Sequence, residues 1–293
     1  MRVGFIGTGS MGSMLIETFI RSGAVNPENV VATNRTIAKA ELLAANYPGL
    51  QVARSNKEAA SQADLLFICV KPLEFKDVIE EIQALLTPEQ IIVSITSPVL
   101  IRHLEALLPC KIAKVIPSIT NHVLSGATLC IYGDRMKDED QKRLENLLSR
   151  VSAPIRISEE HTRISSDLSS CGPAFLAFFI QKYIQAAVSA TGISEEEATR
   201  LASEMTLGTG KLLTDGGFTP AALQQRVAVP GGITEEGLRI MEKELCSVFY
   251  DLIRTTHSKY EEDLEKVEAR FFGTKADEER DAFTSFPYEP PCP

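Results

Sequence analysis

The chain has no tryptophan, only four histidines, and no apolar run approaching the length of a bilayer span. Each lack excludes something. The histidines are scattered, and the cysteines (Cys69, Cys110, Cys130, Cys171, Cys246 and Cys292) show neither CxxC nor Cys/His spacing, so no metal-ligand set is visible. Most of these cysteines lie inside apolar runs, which points to reduced, buried thiols and a cytoplasmic address. A basic surplus is also lacking. The formal net charge is −9 over 293 residues, which argues against nucleic acid or a membrane surface as the main partner. The N-terminus runs straight into a strand pattern, so no signal peptide is expected. No internal repeat is evident. What is present is a 44% apolar share, enough for a real core, in a chain long enough for two ordinary domains.

The strongest local signal lies in residues 1–36. The apolar run Val3–Ile6 is followed by Gly7, Gly9 and Gly12 at Gly-x-Gly-x-x-Gly spacing, then by a helical pattern through Met14, Leu15, Thr18 and Phe19. A second apolar run, 30–32, ends in Asn34-Arg35-Thr36. This strand–turn–helix–strand context is what gives the glycine spacing meaning as a dinucleotide-binding fingerprint. Gly7 serves the tight turn, Gly9 lets a pyrophosphate approach the backbone, and Gly12 lets the helix pack on the sheet. Thr8, Ser10 and Met11 fill the same loop and present backbone N–H groups at the positive end of the helix. An NAD site usually carries an acid at the end of the second strand. Here none stands there, and Arg35 with Asn34 and Thr36 offers donors to a 2′-phosphate, so NADP(H) is favoured over NAD(H). The competing reading is that Arg35 is an ordinary surface arginine.

Downstream, strand and helix patterns alternate. Helices are expected at 38–47, 55–62, 75–86, 99–107 and 138–150. Strands are expected at 63–70, 91–95, 111–116, 127–132 and 154–157, the first two of the continuous apolar kind buried on both faces of a parallel sheet. The pattern is that of a doubly wound α/β sheet with right-handed crossovers over residues 1–158. Beyond His161 no clear strand appears, and 159–273 reads as an all-helical domain. Its helix at 174–190 is apolar on most faces, with Phe175, Phe178, Phe179, Ile180 and Ile184. One small helical domain cannot easily bury such a helix, so a homodimer packing it against its copy is the economical expectation; a central helix within one subunit is the alternative. Ser194 caps the next helix, with Glu195, Glu196 and Glu197 in its first turn. Residues 274–293, acidic and then proline-rich, read as a disordered tail.

Three further stretches name a family. Cys69-Val70-Lys71-Pro72, Ser170-Cys171-Gly172-Pro173-Ala174-Phe175 and Val229-Pro230-Gly231-Gly232-Ile233-Thr234, in this order after the glycine motif, resemble pyrroline-5-carboxylate reductases. The resemblance covers 1–272. Ser97-Pro98-Val99, Ile116-Pro117-Ser118-Ile119-Thr120 and Cys171 depart from the usual pattern. With Asn34-Arg35-Thr36, they look like the reductase-like branch encoded with late competence genes of bacilli.

The resemblance implies hydride transfer from NAD(P)H to the C=N carbon of a small carboxylated imine, giving proline, and the family often builds rings of dimers. It places Val70, Lys71 and Pro72 beside the cofactor, and Gly231, Gly232, Ile233, Thr234 and Cys171 at the substrate. The chemistry is consistent: the Gly231-Gly232 turn precedes a helix whose N–H groups can cradle a carboxylate, and Thr234 can bond the ring nitrogen as the catalytic hydroxyl. Thr234 could equally be a helix cap. Lys71 could merely end a strand, Cys171 could be a small core residue without an activating neighbour in sequence, and His122 reads as a solvated loop residue. Two other readings stand beside the reductase. One is an NADP(H)-binding paralogue that reports nicotinamide state to a partner. The other is a β-hydroxyacid dehydrogenase, against which Ala186, four places after Lys182, counts.

Overall fold

The computed structural model of the chain describes residues 1–273; the tail expected at 274–293 lies outside the described residues. In chain order the first part comprises β1 (Val3–Ile6), α1 (Ser10–Arg21), β2 (Val30–Thr33), α2 (Ile37–Asn46), β3 (Gln51–Val52), α3 (Asn56–Gln62), β4 (Leu65–Ile68), α4 (Phe75–Ile82), β5 (Ile91–Ser94), α5 (Ile101–Glu105), β6 (Lys111–Ile116), β7 (Ala127–Tyr132), α6 (Asp138–Leu148) and β8 (Ala153–Arg156). Helices follow: α7 (Thr162–Ser166), a π-helical turn (Asp167–Cys171), α8 (Gly172–Thr191), α9 (Glu195–Thr214), α10 (Pro220–Val227) and α11 (Ile233–Phe272).

The eight strands form one sheet in the order β3-β2-β1-β4-β5-β6-β7-β8. β1, β4 and β5 are buried at every position because helices cover both faces, which is why their sequences run apolar without alternation. On one face Phe5 stacks on Phe67 with ring centroids 5.0 Å apart, and Phe19 of α1 packs on both. The other face buries Ile6, Leu66, Ile68, Phe75, Ile79 and Ile92, together with Val267 and Phe271 from the end of α11.

The sheet is not parallel throughout. β7 runs antiparallel to β6, while β8 pairs parallel with β7. The 117–126 connection holds only the 3₁₀ turn Ile119–Val123, shorter than the dozen or more residues that a parallel crossover takes. The short strand β3, absent from the sequence expectations, pairs with β2 through two residues, too few to show a period.

The chain divides into two compact units. Among the described residues, one is Met1–Pro173 joined by 256–273, and the other spans Ala174–Thr255. The sheet-bearing unit thus holds residues beyond 158 and the last turns of α11. In the second unit α8 has no buried residue: Leu176, Phe178, Phe179 and Tyr183 are all exposed within the single chain. A helix this apolar on so many sides is a helix awaiting a partner surface.

Candidate functional site

β1 is the topological switch point of the sheet: the chain winds outward through β2 and β3 on one side and returns through β4 and β5 on the other. Ligands of open α/β sheets bind at the carboxyl ends of the strands there. The turn leaving β1 is shaped by its glycines. Gly7 has φ +99°, and a Cβ on it would lie 2.5 Å from the Cys69 carbonyl oxygen. A Cβ on Gly12 would lie 2.1 Å from the Gly7 carbonyl oxygen, so α1 can sit this close to the turn only with glycine there. Around Gly9, by contrast, the space is open, and Gly9 stands at the N-cap of α1 with no side chain capping the helix. Ser10 and Met11 begin that helix, and its first N–H groups have no intrahelical acceptors. Thr8 is buried, yet its hydroxyl lacks a hydrogen-bond partner among the described residues. An open helix N-terminus beside an orphaned hydroxyl fits a phosphate group.

The loop after β2 has a division of labour that the sequence does not reveal. Asn34 Oδ1 accepts the Thr8 N–H at 3.0 Å, while its Nδ2 donates to the Thr36 carbonyl at 3.1 Å. Asn34 therefore locks the glycine turn to the β2 loop instead of pointing a free donor outward. Thr36 occupies the N-cap of α2 without a side-chain cap bond. Arg35 is 86% exposed and pairs with Glu74 at 3.0 Å. Glu74 follows Val70-Lys71-Pro72: Val70 is half-buried, its carbonyl accepts the Thr96 hydroxyl, Lys71 is exposed, and Pro72 opens a 3₁₀ turn.

The other carboxyl-end loops are tied down by buried polar contacts. Lys114 of β6 is fully buried; its Nζ pairs with Glu159 at 2.5 Å and donates to the Ser97 carbonyl at 3.1 Å. Burial lowers its pKa, and the Glu159 carboxylate opposes the drop. The Tyr260 hydroxyl of α11 donates to the same Ser97 carbonyl at 3.2 Å, with its own pKa pushed up to about 12 by burial. Ser118 and Asn121 are buried: Asn121 Oδ1 accepts the Ser118 N–H, and the Ser118 hydroxyl donates to the Ser169 carbonyl. Cys171 ends the π-helical turn, half-buried. The Arg163 guanidinium, which pairs with Asp167 Oδ1 at 2.7 Å, lies 3.1 Å from its Sγ. His122 is exposed, its backbone carbonyl taken by Arg21. Cys69, Cys110, Cys130 and Cys171 are free thiols.

In the second unit, Gly231 has φ +72° and opens the turn before α11. The Gly232 carbonyl accepts the first helical bond, from Glu236 N–H at 3.3 Å. Thr234 thus lies inside the first turn, exposed, two places past Gly232, which holds the capping position that sequence allowed Thr234. Ile233 is 95% exposed. The Gly231 N–H donates to the Glu235 carboxylate at 2.6 Å. The turn therefore holds a carboxylate already, the chain's own. Sequence reasoning passed over Glu74, Arg163 and Glu235; only the last had a local signal, four places after Gly231.

Among the described residues no helix is long and apolar enough to cross a membrane, and no cluster of three or more His, Cys, Asp or Glu is placed to hold a metal. The sheet topology and the glycine turn define a Rossmann-type domain of a nicotinamide-dependent oxidoreductase, followed by a helical domain. Residues 2–98 match the family model described as NADP oxidoreductase coenzyme F420-dependent, and residues 159–263 the one described as pyrroline-5-carboxylate reductase dimerisation. The chain is 42% identical over 271 residues to ComE operon protein 4 of Bacillus subtilis (strain 168), covering 92% of this chain and 99% of that protein. A pyrroline-5-carboxylate reductase from Coxiella burnetii superposes with a TM-score of 0.82 at 25% identity, covering 89% of this chain and 98% of that one. The Plasmodium falciparum pyrroline carboxylate reductase with NADP bound superposes with a TM-score of 0.76 at 25% identity, over 93% and 98%. The chain is also 30% identical over 261 residues to pyrroline-5-carboxylate reductase 3 of Bacillus subtilis (strain 168), covering 89% of this chain and 96% of that protein, and it belongs to the pyrroline-5-carboxylate reductase family.

Proposed function

We propose that the protein reduces 1-pyrroline-5-carboxylate, or a related cyclic imine, to proline or the corresponding amine, with NADPH preferred over NADH. The observation that carries the reading is the cradle of Gly7, Gly9 and Gly12, where side chains are excluded by backbone at two positions and open space is left at the third, at the uncapped N-terminus of α1. Bound there, NADPH would supply the hydride that the imine carbon needs, with the nitrogen's proton drawn from water.

The chain's residues bind and orient. Gly7, Thr8, Gly9, Ser10, Met11 and Gly12 offer N–H groups and the Thr8 hydroxyl to the pyrophosphate. Arg35 and Thr36 hold the 2′-phosphate, with Asn34 fixing their loop. Val70, Lys71 and Pro72 border the cofactor. Gly231, Gly232 and Ile233 offer backbone N–H groups to the substrate carboxylate, Thr234 bonds the ring nitrogen as the catalytic hydroxyl, and Cys171 lines the substrate region. A homodimer covers α8, and a ring of such dimers is the larger assembly proposed.

A second reading is a catalytically weak NADP(H)-binding paralogue with a regulatory role linked to competence. The Glu235 carboxylate on the Gly231 N–H favours it, since an anionic substrate must displace that group. Steady-state NADPH oxidation with pyrroline-5-carboxylate separates the two. Turnover that is lost in Thr234→Ala while NADPH binding persists supports the reductase. Tight NADPH binding with no turnover on this or related imines contradicts it and leaves the regulatory reading.

A further inference from the structure

We infer that Glu74 is a specificity-determining residue for the cofactor, acting as an internal competitor of the 2′-phosphate for Arg35. The inference rests on the proposed binding of NADP(H) at the β1 switch point. By sequence, the end of β2 lacks the acid that would mark an NAD site. In the fold an acid arrives there from 39 residues away, through the turn that follows β4. Glu74 cannot drift from that place. It is the last residue of the 3₁₀ turn Pro72–Glu74 and directly precedes Phe75, which is fully buried beneath the sheet. Its carboxylate meets Arg35 Nη1 at 3.0 Å.

The consequence follows from charge. Asn34 is engaged with Thr8 and Thr36, so Arg35 is the loop's one cationic group toward a 2′-phosphate, and Glu74 takes part of its charge. A phosphate dianion outcompetes a carboxylate for a guanidinium because it carries more charge and more acceptor oxygens. The exchange costs little, because an exposed ion pair is weak. A carboxylate left beside the bound phosphate nevertheless opposes it, whereas the neutral 2′-hydroxyl of NADH feels no such repulsion. Glu74 thus narrows the preference that Arg35 creates and keeps the site open to both cofactors.

The test is calorimetric titration of the full-length protein with NADPH and with NADH, for wild type, Glu74→Gln, Arg35→Ala and the double variant. Both positions are at the surface, so the fold should survive; matching circular dichroism melts would verify this. Glu74→Gln is expected to tighten NADPH about threefold or more relative to NADH, the order set by an exposed ion pair. That relative gain should shrink in the Arg35→Ala background. An unchanged or reduced relative affinity for NADPH in Glu74→Gln, with Arg35→Ala still selective against NADPH, overturns the role of Glu74 and leaves the cofactor assignment standing. Equal weakening of NADPH and NADH by Arg35→Ala overturns both.

Discussion

At single positions the chain is least tolerant where backbone meets backbone. Gly12→Ala would place a methyl 2.1 Å from the Gly7 carbonyl oxygen, which no side-chain rotation relieves. Overpacking of this kind costs about 1–3 kcal/mol or more, and pushing α1 away also spoils the phosphate cradle. Thermal unfolding should show a lowered midpoint, and a titration should show NADPH binding lost; full binding at unchanged stability would contradict the cradle. Glu235 carries the opposite expectation. Its carboxylate occupies the Gly231 N–H, so Glu235→Ala should free that donor, remove a like charge, and lower KM for pyrroline-5-carboxylate about threefold to tenfold, in the range of a charge-assisted hydrogen bond. An unchanged or raised KM would show that the substrate carboxylate binds elsewhere. The glycines could be read from sequence because their spacing is a local requirement of one turn. Glu74, Arg163 and Lys114 could not, because what matters about each is a partner that only the fold brings near: Arg35, Cys171 and the Ser97 carbonyl.

Among the elements, the last turns of α11 behave as part of the sheet-bearing unit. Val267 and Phe271 are buried there, Glu268 pairs with Arg102, and Arg270 reaches Asp77 at 2.5 Å. His103 of α5 is enclosed beneath them, its ring 5.2 Å from that of Phe271 and 5.5 Å from that of Phe272. Its Nδ1 accepts the Leu100 N–H, and Glu268 approaches Nε2 at 3.6 Å. Burial pushes its pKa down from 6.5 to about 4, with Arg102 and Lys114 adding to the shift and Glu268 opposing it. Between those two values the unfolded chain binds more protons than the folded one. The stability held by the neutral ring is therefore full above about pH 6.5 and is lost as pH falls toward 4. Urea unfolding should show the midpoint dropping between pH 7 and pH 5, and dropping less in His103→Gln; an equal drop would remove His103 from the cause. The sequence reads as helical throughout 159–273, but nothing local marks the residue at which α11 changes neighbours. Likewise the β7 reversal follows from a short connection, while β3 was too short to read.

For the whole molecule, composition and pattern made two parts legible: an alternating α/β half and a helical half with an apolar helix. The single chain leaves Phe178 and Tyr183 each 61% exposed on α8. A dimer covering them predicts a scattering mass of at least twice the chain, in multiples of the dimer if dimers assemble into a ring, and Phe178→Glu should shift it toward the monomer; a wild-type monomer at micromolar concentration would contradict the proposal. What sequence left open is chemistry: the reductase scaffold is plain, but the turn proposed for the substrate already holds the Glu235 carboxylate, and an imine carboxylate must compete with it. The most direct measurement is isotope transfer. With NADPH deuterated at C4 of the nicotinamide and pyrroline-5-carboxylate as acceptor, mass spectrometry should find one deuterium on the former imine carbon of proline, in wild type and not in Thr234→Ala. Saturating NADPH binding with no deuterium in the product would contradict an imine reductase.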